Sequence, residues 1–465
     1  MAEAPKTWLP TLAAERRSIL QISGPLIGAY LAEMGMIITD MIIVGRLGSV
    51  ELAAVGLGGD WFYVLLLIGI GVLSIVGVLI AQARGAGEDS RVSGYVRQGL
   101  VVATLLTVPI AILSWYLSPL LGLTGQDPEV LQRIDDYMHP LTFAVWPALV
   151  YVVFRNYLTA YENTSIFLVL TLVALGVNAV LNIVLVHGKL GLPALGVAGA
   201  GIGTTIIHWL LLGALMWYLH KEQRLRFRAL LGERASSDRG ALAEIVRLGL
   251  PISATYLMNG GLFTVAAVMM GALGAAYLAA QQLVYALLYC AISISIGIGD
   301  AAKVRVAYAL GKHSPLAMRQ AAGQCLLFGG IVCLVFSLGL WLLPDYLFRV
   351  FLNFEDSANA ATITVALTLT VFAGCFQIID GIHVIIGNAL RGLRDTRTPM
   401  WAALVGYWVC GVCLGWVLCF PVGLGAAGIW WGMLVGVGIA CLWMLAKFYF
   451  QTAQLLSAQA TTSIR

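Results

Sequence analysis

Charged side chains are scarce in this sequence. Asp, Glu, Lys and Arg together make up 11% of its 465 residues, against about 25% in a soluble domain. Apolar residues reach 60%, and the mean hydropathy is +0.90. A soluble fold of this size cannot hide so much apolar surface, which excludes an ordinary cytosolic enzyme. The same figures exclude a disordered chain and a nucleic-acid binder, which needs a basic face. Strict polar–apolar alternation is also lacking, which excludes an outer-membrane barrel. Cysteine is absent before residue 290. The eight present (290, 325, 333, 375, 410, 413, 419 and 441) lie mostly inside apolar runs and predict no disulfide framework. Cys410 and Cys413 share a helical face, but no His or second Cys pair accompanies them as a metal site would require. The N-terminus has no short apolar stretch ending in small residues, so no cleaved signal is expected.

What is present is a series of long apolar runs. A membrane-crossing helix needs about 20 such residues. Breaks rich in charge, Gly or Pro leave twelve expected spans: 18–44, 53–82, 97–123, 136–158, 165–187, 197–220, 246–271, 278–307, 321–343, 361–388, 399–420 and 428–450. An even number puts both termini on one side. Of the 27 basic residues, only Arg46, Arg133, Lys189 and Arg349 fall on the face away from the termini. The other 23 lie on the termini's side, which the positive-inside rule makes cytoplasmic. Much of that charge lies in the central loop, whose basic face is expected along anionic head groups. The expected organisation is a cytoplasmic N-terminus (1–17), an N-lobe (18–220), a cytoplasmic linker (221–245), a C-lobe (246–450) and a cytoplasmic tail (451–465).

The chain repeats itself. Residues 18–54 align with 244–280 without a gap, with eleven identities in 37, among them Pro25/Pro251, Tyr30/Tyr256, Gly35/Gly261 and Gly48/Gly274. LGVAGAGIG (195–203) likewise resembles LGAAGIWWG (424–432), each opening the last span of its half. Six spans per half is even, so both halves enter the bilayer in the same direction, as a parallel repeat. The expected fold is an all-α integral membrane protein of twelve transmembrane helices in two pseudo-symmetric six-helix bundles. Bundles of this kind can rock about a cleft between them, which is the architecture of alternating access.

A charge at the bilayer centre costs roughly 2.5–3.5 kcal/mol on insertion scales, so those retained have partners or a purpose. Four acids stand out: Glu33 and Asp40 in span 1, Asp300 in span 8 and Asp380 in span 10. Asp60, near the outer end of span 2, is expected to face water. Asn178 and Asn182 in span 5 are spaced i, i+4 on one helical face. With Asp40 they form either an oxygen-rich cation or proton site or a polar cluster joining two helices. Glu33 lies two turns from Asp40 on the same face. His383 lies one turn after Asp380 and can share its proton. Lys303 follows Asp300 at i+3 and can neutralise it. Desolvation favours a neutral carboxyl, so a buried acid can carry a proton near neutral pH and give it up when a substrate cation binds. One carboxylate that cannot serve two cations at once is enough to couple their opposite movements.

TDMIIVGRLGSVELAAVGLG (39–58), NIVLVHGKLGLPALGVAGAGIGT (182–204), LAAQQ (278–282), VRVAYALG (304–311) and FQIIDGIHVIIGNALRG (376–392) resemble the multidrug and toxic compound extrusion (MATE) family, in its NorM-type branch. The resemblance runs from about residue 18 to about 445. It implies two six-helix lobes around a V-shaped cleft, and efflux of bulky, often cationic organic compounds driven by inward Na+ or H+. By resemblance, Asp40, Asn178 and Asn182 match the N-lobe site and Asp380 a C-lobe cation site. One departure matters: the family pattern has a Glu in span 7 where this chain has Asn259. Either Asp300 replaces the missing carboxylate, giving a possible Na+ site at Asp380, Asp300 and Asn259, or that site is degenerate and coupling rests on Asp40. Tyr30, Tyr256, Met258, Tyr285 and Tyr289 are candidates to line the cleft by stacking and cation–π contact, with Gln281, Gln282 and His383 as polar partners.

The expected function is therefore a cation-coupled antiporter, not an enzyme, in a bacterial cytoplasmic (inner) membrane. It needs no cofactor beyond the coupling ion, H+ or Na+. Its partners are a small organic substrate and the lipid bilayer, with no nucleic acid, and it acts as a monomer. The alternatives are a dedicated exporter of one natural product and a flippase of a lipid-linked substrate. A flippase handling pyrophosphate would want a basic cleft, and the intramembrane charges here are mostly acidic. A channel would not need buried acids in both lobes, and no nucleophile–base pair suggests an intramembrane enzyme.

Overall fold

The computed structural model describes residues 8–123, 125–222, 239–349, 354, 356 and 359–464. Most of the expected linker, with Arg224, Arg226, Arg228 and Arg234, lies outside the described residues, as do Lys6 and Arg465. The described residues form helices and connecting turns only. In the first half these are α1 (Leu12–Gly45), α2 (Ser49–Ala86), α3 (Asp89–Trp115), α4 (Leu117–Gly122), α5 (Pro128–Thr142), α6 (Val145–Ala160), α7 (Ser165–His187) and α8 (Val197–Lys221). The second half has α9 (Arg239–Leu273), α10 (Ala275–Gly311), α11 (Pro315–Leu342), α12 (Pro344–Phe348), α13 (Ala360–Gly392) and α14 (Arg397–Ala403). A π-helical segment (Leu404–Val412), α15 (Cys413–Cys419) and α16 (Gly425–Ile464) complete it.

Eleven of the described helical stretches are long and apolar enough to cross a membrane. The pair α5–α6, bent by 49°, makes a twelfth crossing if counted as one. Pro147 accounts for the bend: it has no N–H for the carbonyl of Phe143, so the helix cannot run through that turn. The chain is thus a multi-pass membrane protein, and the expected spans fall inside these helices. The ends differ in one informative place. The sequence places the end of the last span near 450, but α16 continues to Ile464 because no Gly or Pro interrupts it after Gly438.

The duplication is visible element by element. Ser49 and Ala275 open α2 and α10, 226 residues apart, and Asp89 and Pro315 open α3 and α11 at the same offset. Turn geometry repeats with them. Gly87 (φ 77°) and His313 (φ 51°) take the left-handed conformation at the ends of α2 and α10, and Glu162 (φ 60°) and Arg394 (φ 66°) do so after α6 and α13. A His, a Glu and an Arg tolerate this strained backbone because the turn, rather than the residue type, is what the two halves share.

Packing divides the chain into two compact units. One is Gly28–Ser253, and the other is Met1–Ile27 with Ala254–Arg465. The divisions fall inside α1 and α9, each two residues after a helix proline, Pro25 and Pro251. The two division points are 253 − 27 = 226 residues apart, which is the repeat offset. In the first unit the middle of α2 is the core, with Val72, Leu73, Ile75, Val76, Val78, Leu79, Ile80 and Ala81 all buried. In the second, α13 packs on α10, α11 and α16, and its last two turns are buried. The segment 8–27 is tied into this second unit. Arg305 donates from Nε and Nη2 to the two oxygens of Glu15 (2.9 and 2.5 Å), and Arg16 donates to Gln324 (2.8 Å).

Candidate functional site

Asp40 lies near the C-terminal end of α1, and α7 and α8 face it. Asn178 and Asn182, one turn apart on α7, are both buried. Asn182 Nδ2 donates to Asp40 Oδ1 and lies 3.5 Å from Asn178 Oδ1. The Thr204 hydroxyl on α8 turns toward the same carboxyl. Among the described residues, Asn182 Oδ1 and Thr204 Oγ1 are buried and make no hydrogen bond of their own. Gly203 makes this approach possible, since a Cβ there would fall on Asn182 Oδ1. The result is an oxygen-lined pocket with one ionisable carboxyl and spare acceptors, a set suited to a proton or a hard cation. Glu33, two turns back on α1, pairs loosely with Arg155 (3.9 Å), whose guanidinium also lies 5.5 Å from the Tyr30 ring centroid.

The second unit holds Asp380 on α13, with 1% of its surface exposed. Its Oδ1 is buried without a hydrogen bond among the described residues, and so is Oε1 of Gln377, one turn earlier. His383 Nδ1 lies 3.7 Å from Asp380 Oδ1. The Tyr407 hydroxyl, from the π segment, lies 2.6 Å from His383 Nε2 and 3.1 Å from Nδ1. Further along α13, Arg391 is buried. It donates to Tyr256 Oη (3.1 Å) and Asn388 Oδ1 (3.2 Å) and stacks on the Tyr256 ring. None of its described partners is a carboxylate.

Asp300 is drawn the other way. Lys303 Nζ donates to its Oδ1 at 2.6 Å within α10, and the lysine is itself buried. That is the intrahelical neutralisation its spacing allows. Asn259 is half-buried, and no described hydrogen bond joins it to Asp380 or Asp300. Among the described residues, no three His, Cys, Asp or Glu side chains converge as a metal cluster. The aromatic candidates separate. Tyr30 and Tyr256 are half-buried under guanidinium groups, Met258 packs on the core, and Tyr285 is buried with its hydroxyl bonded to Gln281 (2.9 Å). Tyr289 and Gln282 are exposed.

A family model, MatE, matches residues 25–184 and 251–417. Its two segments begin 251 − 25 = 226 residues apart, at the equivalent prolines. The chain belongs to the MatE family. It is 38% identical over 450 residues to the multidrug resistance protein NorM of Burkholderia vietnamiensis, covering 97% of each chain. It is 33% identical over 462 residues to the probable multidrug resistance protein NorM of Rhizobium meliloti, covering 99% of this chain and 98% of the relative. The crystal structure of MATE in the bent conformation shares the fold, with a TM-score of 0.86 at 17% identity, over 97% of this chain and 100% of that one.

Within this MatE chain, three residues of the two clusters escaped sequence reasoning. Thr204 sits in a Gly-rich helix start, AGAGIGTT, where small residues read as packing. Its position one residue after Gly203 was the available signal. Tyr407 carries no charge, and the π segment that aims it leaves no pattern in an apolar run. Arg391 reads as one of many cytoplasmic basic residues, and only its burial sets it apart.

Proposed function

We propose that this chain is a cation-coupled antiporter that exports organic, cationic or amphipathic compounds by alternating access across a bacterial cytoplasmic membrane, with both termini in the cytoplasm. The observation that carries this reading is one buried carboxyl in each unit, Asp40 and Asp380, each enclosed by helices at membrane depth. A carboxylate there costs several kcal/mol unless a cation or proton compensates it, so its occupancy is bound to change when the site opens to water. The names of the NorM relatives support multidrug substrates, and the duplicated six-span halves suit a rocking motion. A compound with positive charge competes with the coupling ion for the same carboxylate, which is what opposite movement requires.

The test is efflux of ethidium from proteoliposomes under an imposed pH gradient or an imposed Na+ gradient. Wild-type protein is expected to export ethidium under at least one gradient, with Asp40→Asn and Asp380→Asn each slowing it more than about tenfold, or ~1.4 kcal/mol. Normal transport by both variants would contradict the reading.

A further inference from the structure

We propose that His383 and Tyr407 make the Asp380 site a proton carrier, so that the coupling ion of this unit is H+ and not Na+. The proposal rests on the antiporter reading above and names its ion. Three features of the geometry lead to it.

First, the oxygen ligands that a metal ion would need are not gathered at Asp380. Asn259 is neutral and makes no described bond to it, Asp300 is closed on Lys303 at 2.6 Å, and Gln377 Oε1 is the other buried spare oxygen nearby. A hard cation takes several oxygen ligands. Second, the ionisable group that does face Asp380 is a base. His383 Nδ1 stands 3.7 Å from Asp380 Oδ1, and both residues are buried. A protonated imidazole there neutralises the carboxylate and repels Na+. Third, Tyr407 holds the ring. Its hydroxyl reaches both imidazole nitrogens, at 2.6 and 3.1 Å, and can donate to a bare nitrogen or accept from a protonated one. The extra residue in each turn of a π segment re-aims side chains, and such segments recur at functional sites. Here it delivers Tyr407 to α13.

The other groups around the pair leave the proton to His383 and Asp380. Cys333 from α11 and Cys441 from α16 lie within the field of Asp380. Arg391 on the same helix shares with Asp380 an influence on Tyr407. It is a fixed positive charge with no described carboxylate partner, on the side where the family's span-7 acid is replaced by Asn259. Ser295 from α10 bonds Cys333 rather than Asp380. The proton balance is simple. One proton taken from water converts carboxylate and neutral imidazole to carboxylate and imidazolium, or to carboxylic acid and imidazole. The same proton returns to water when an organic cation takes its place, so the charge of the site is conserved. Asp380 carries the exchange, His383 shares the proton, and Tyr407 is a positioning residue.

The test has one arm with transport and one without. In proteoliposomes, ethidium efflux is expected to respond to a pH gradient with choline in place of all Na+. A Na+ gradient at equal pH is expected to add nothing in Asp40→Asn protein, where the second unit acts alone. His383→Gln is expected to reduce pH-driven efflux about tenfold and displace its pH profile, whereas Tyr407→Phe displaces the profile with a smaller loss of rate. Independently of transport, dicyclohexylcarbodiimide reacts with protonated carboxyls, and peptide mass spectrometry reads its adduct on Asp380. Wild-type labelling is expected to fall as pH rises and to ignore Na+. In His383→Gln, with the imidazolium gone, labelling persists to higher pH by about one unit, a tenfold change in proton affinity. Protection of Asp380 by Na+, or the same labelling curve in wild type and His383→Gln, would overturn the proposal. Absence of ethidium movement under every gradient would instead count against the antiporter reading, and the labelling arm would still decide between proton and Na+.

Discussion

The Asp40 cluster depends on a side chain that is not there. Asn182 reaches Asp40 with its Nδ2 while its Oδ1 lies against Gly203, where a Cβ would collide with it. Gly203→Ala changes no polar group, yet it forces Asn182 off the carboxyl and leaves a buried acceptor without its donor, at a cost of about 1–3 kcal/mol. Ethidium efflux is expected to fall at least about tenfold, while the variant still inserts and elutes as a single species on gel filtration. Wild-type efflux in Gly203→Ala would show that the Asn182 contact does not matter for transport. At this scale the sequence was partly legible. An acid and two asparagines in apolar helices are visible because they are out of place. Thr204 and Gly203 are ordinary residues for a membrane helix, and only the α7–α8 packing distinguishes them. Asp300 is the opposite case, an acid that stands out in the sequence but whose described partner is a lysine one turn away.

Helix pairing in the last quarter of the chain rests on glycine. Gly428, Gly432 and Gly436 on α16 repeat every four residues and lie against the backbones of α15 and the π segment. A Cβ at Gly432 would fall on the Gly415 backbone and within 2.5 Å of the Gly411 carbonyl oxygen. Backbone cannot rotate away, so Gly432→Val must separate the helices, at about 1–3 kcal/mol for overpacking. It would also withdraw Tyr407 from His383. The variant is expected to melt several degrees below wild type in detergent, followed by tryptophan fluorescence. Gly438→Val is the matched control, since nothing lies within 4 Å of its added Cβ, and it is expected to melt like wild type. The spacing of these glycines could be read in the sequence. The π segment opposite them could not, because it is a product of packing and has no residue pattern of its own.

At the scale of the molecule, apolar runs and their polar breaks predicted the number of crossings and nearly all of their limits, because the bilayer leaves little choice of element. The repeat predicted the pairing of α1 with α9 and α2 with α10. It did not reveal that each compact unit takes the first turns of a helix from the other half of the sequence. That exchange follows prolines 25 and 251, where the helices are weakened, and depends on tertiary packing. The two units keep one buried carboxyl each, in different surroundings: amides and a hydroxyl about Asp40, and an imidazole and a phenol about Asp380. Antiport by such sites is a strict exchange, so a gradient of the exported compound must drive the ion backward. Proteoliposomes loaded with ethidium and placed in ethidium-free medium, with no ion gradient imposed, measure this directly. Ethidium leaving down its gradient is expected to drive H+ or Na+ inward against none, recorded by an internal pH or Na+ indicator, and to do so in wild type but not in Asp40→Asn, Asp380→Asn double-variant protein. Ethidium leaving at the wild-type rate with no accompanying ion movement would contradict the account.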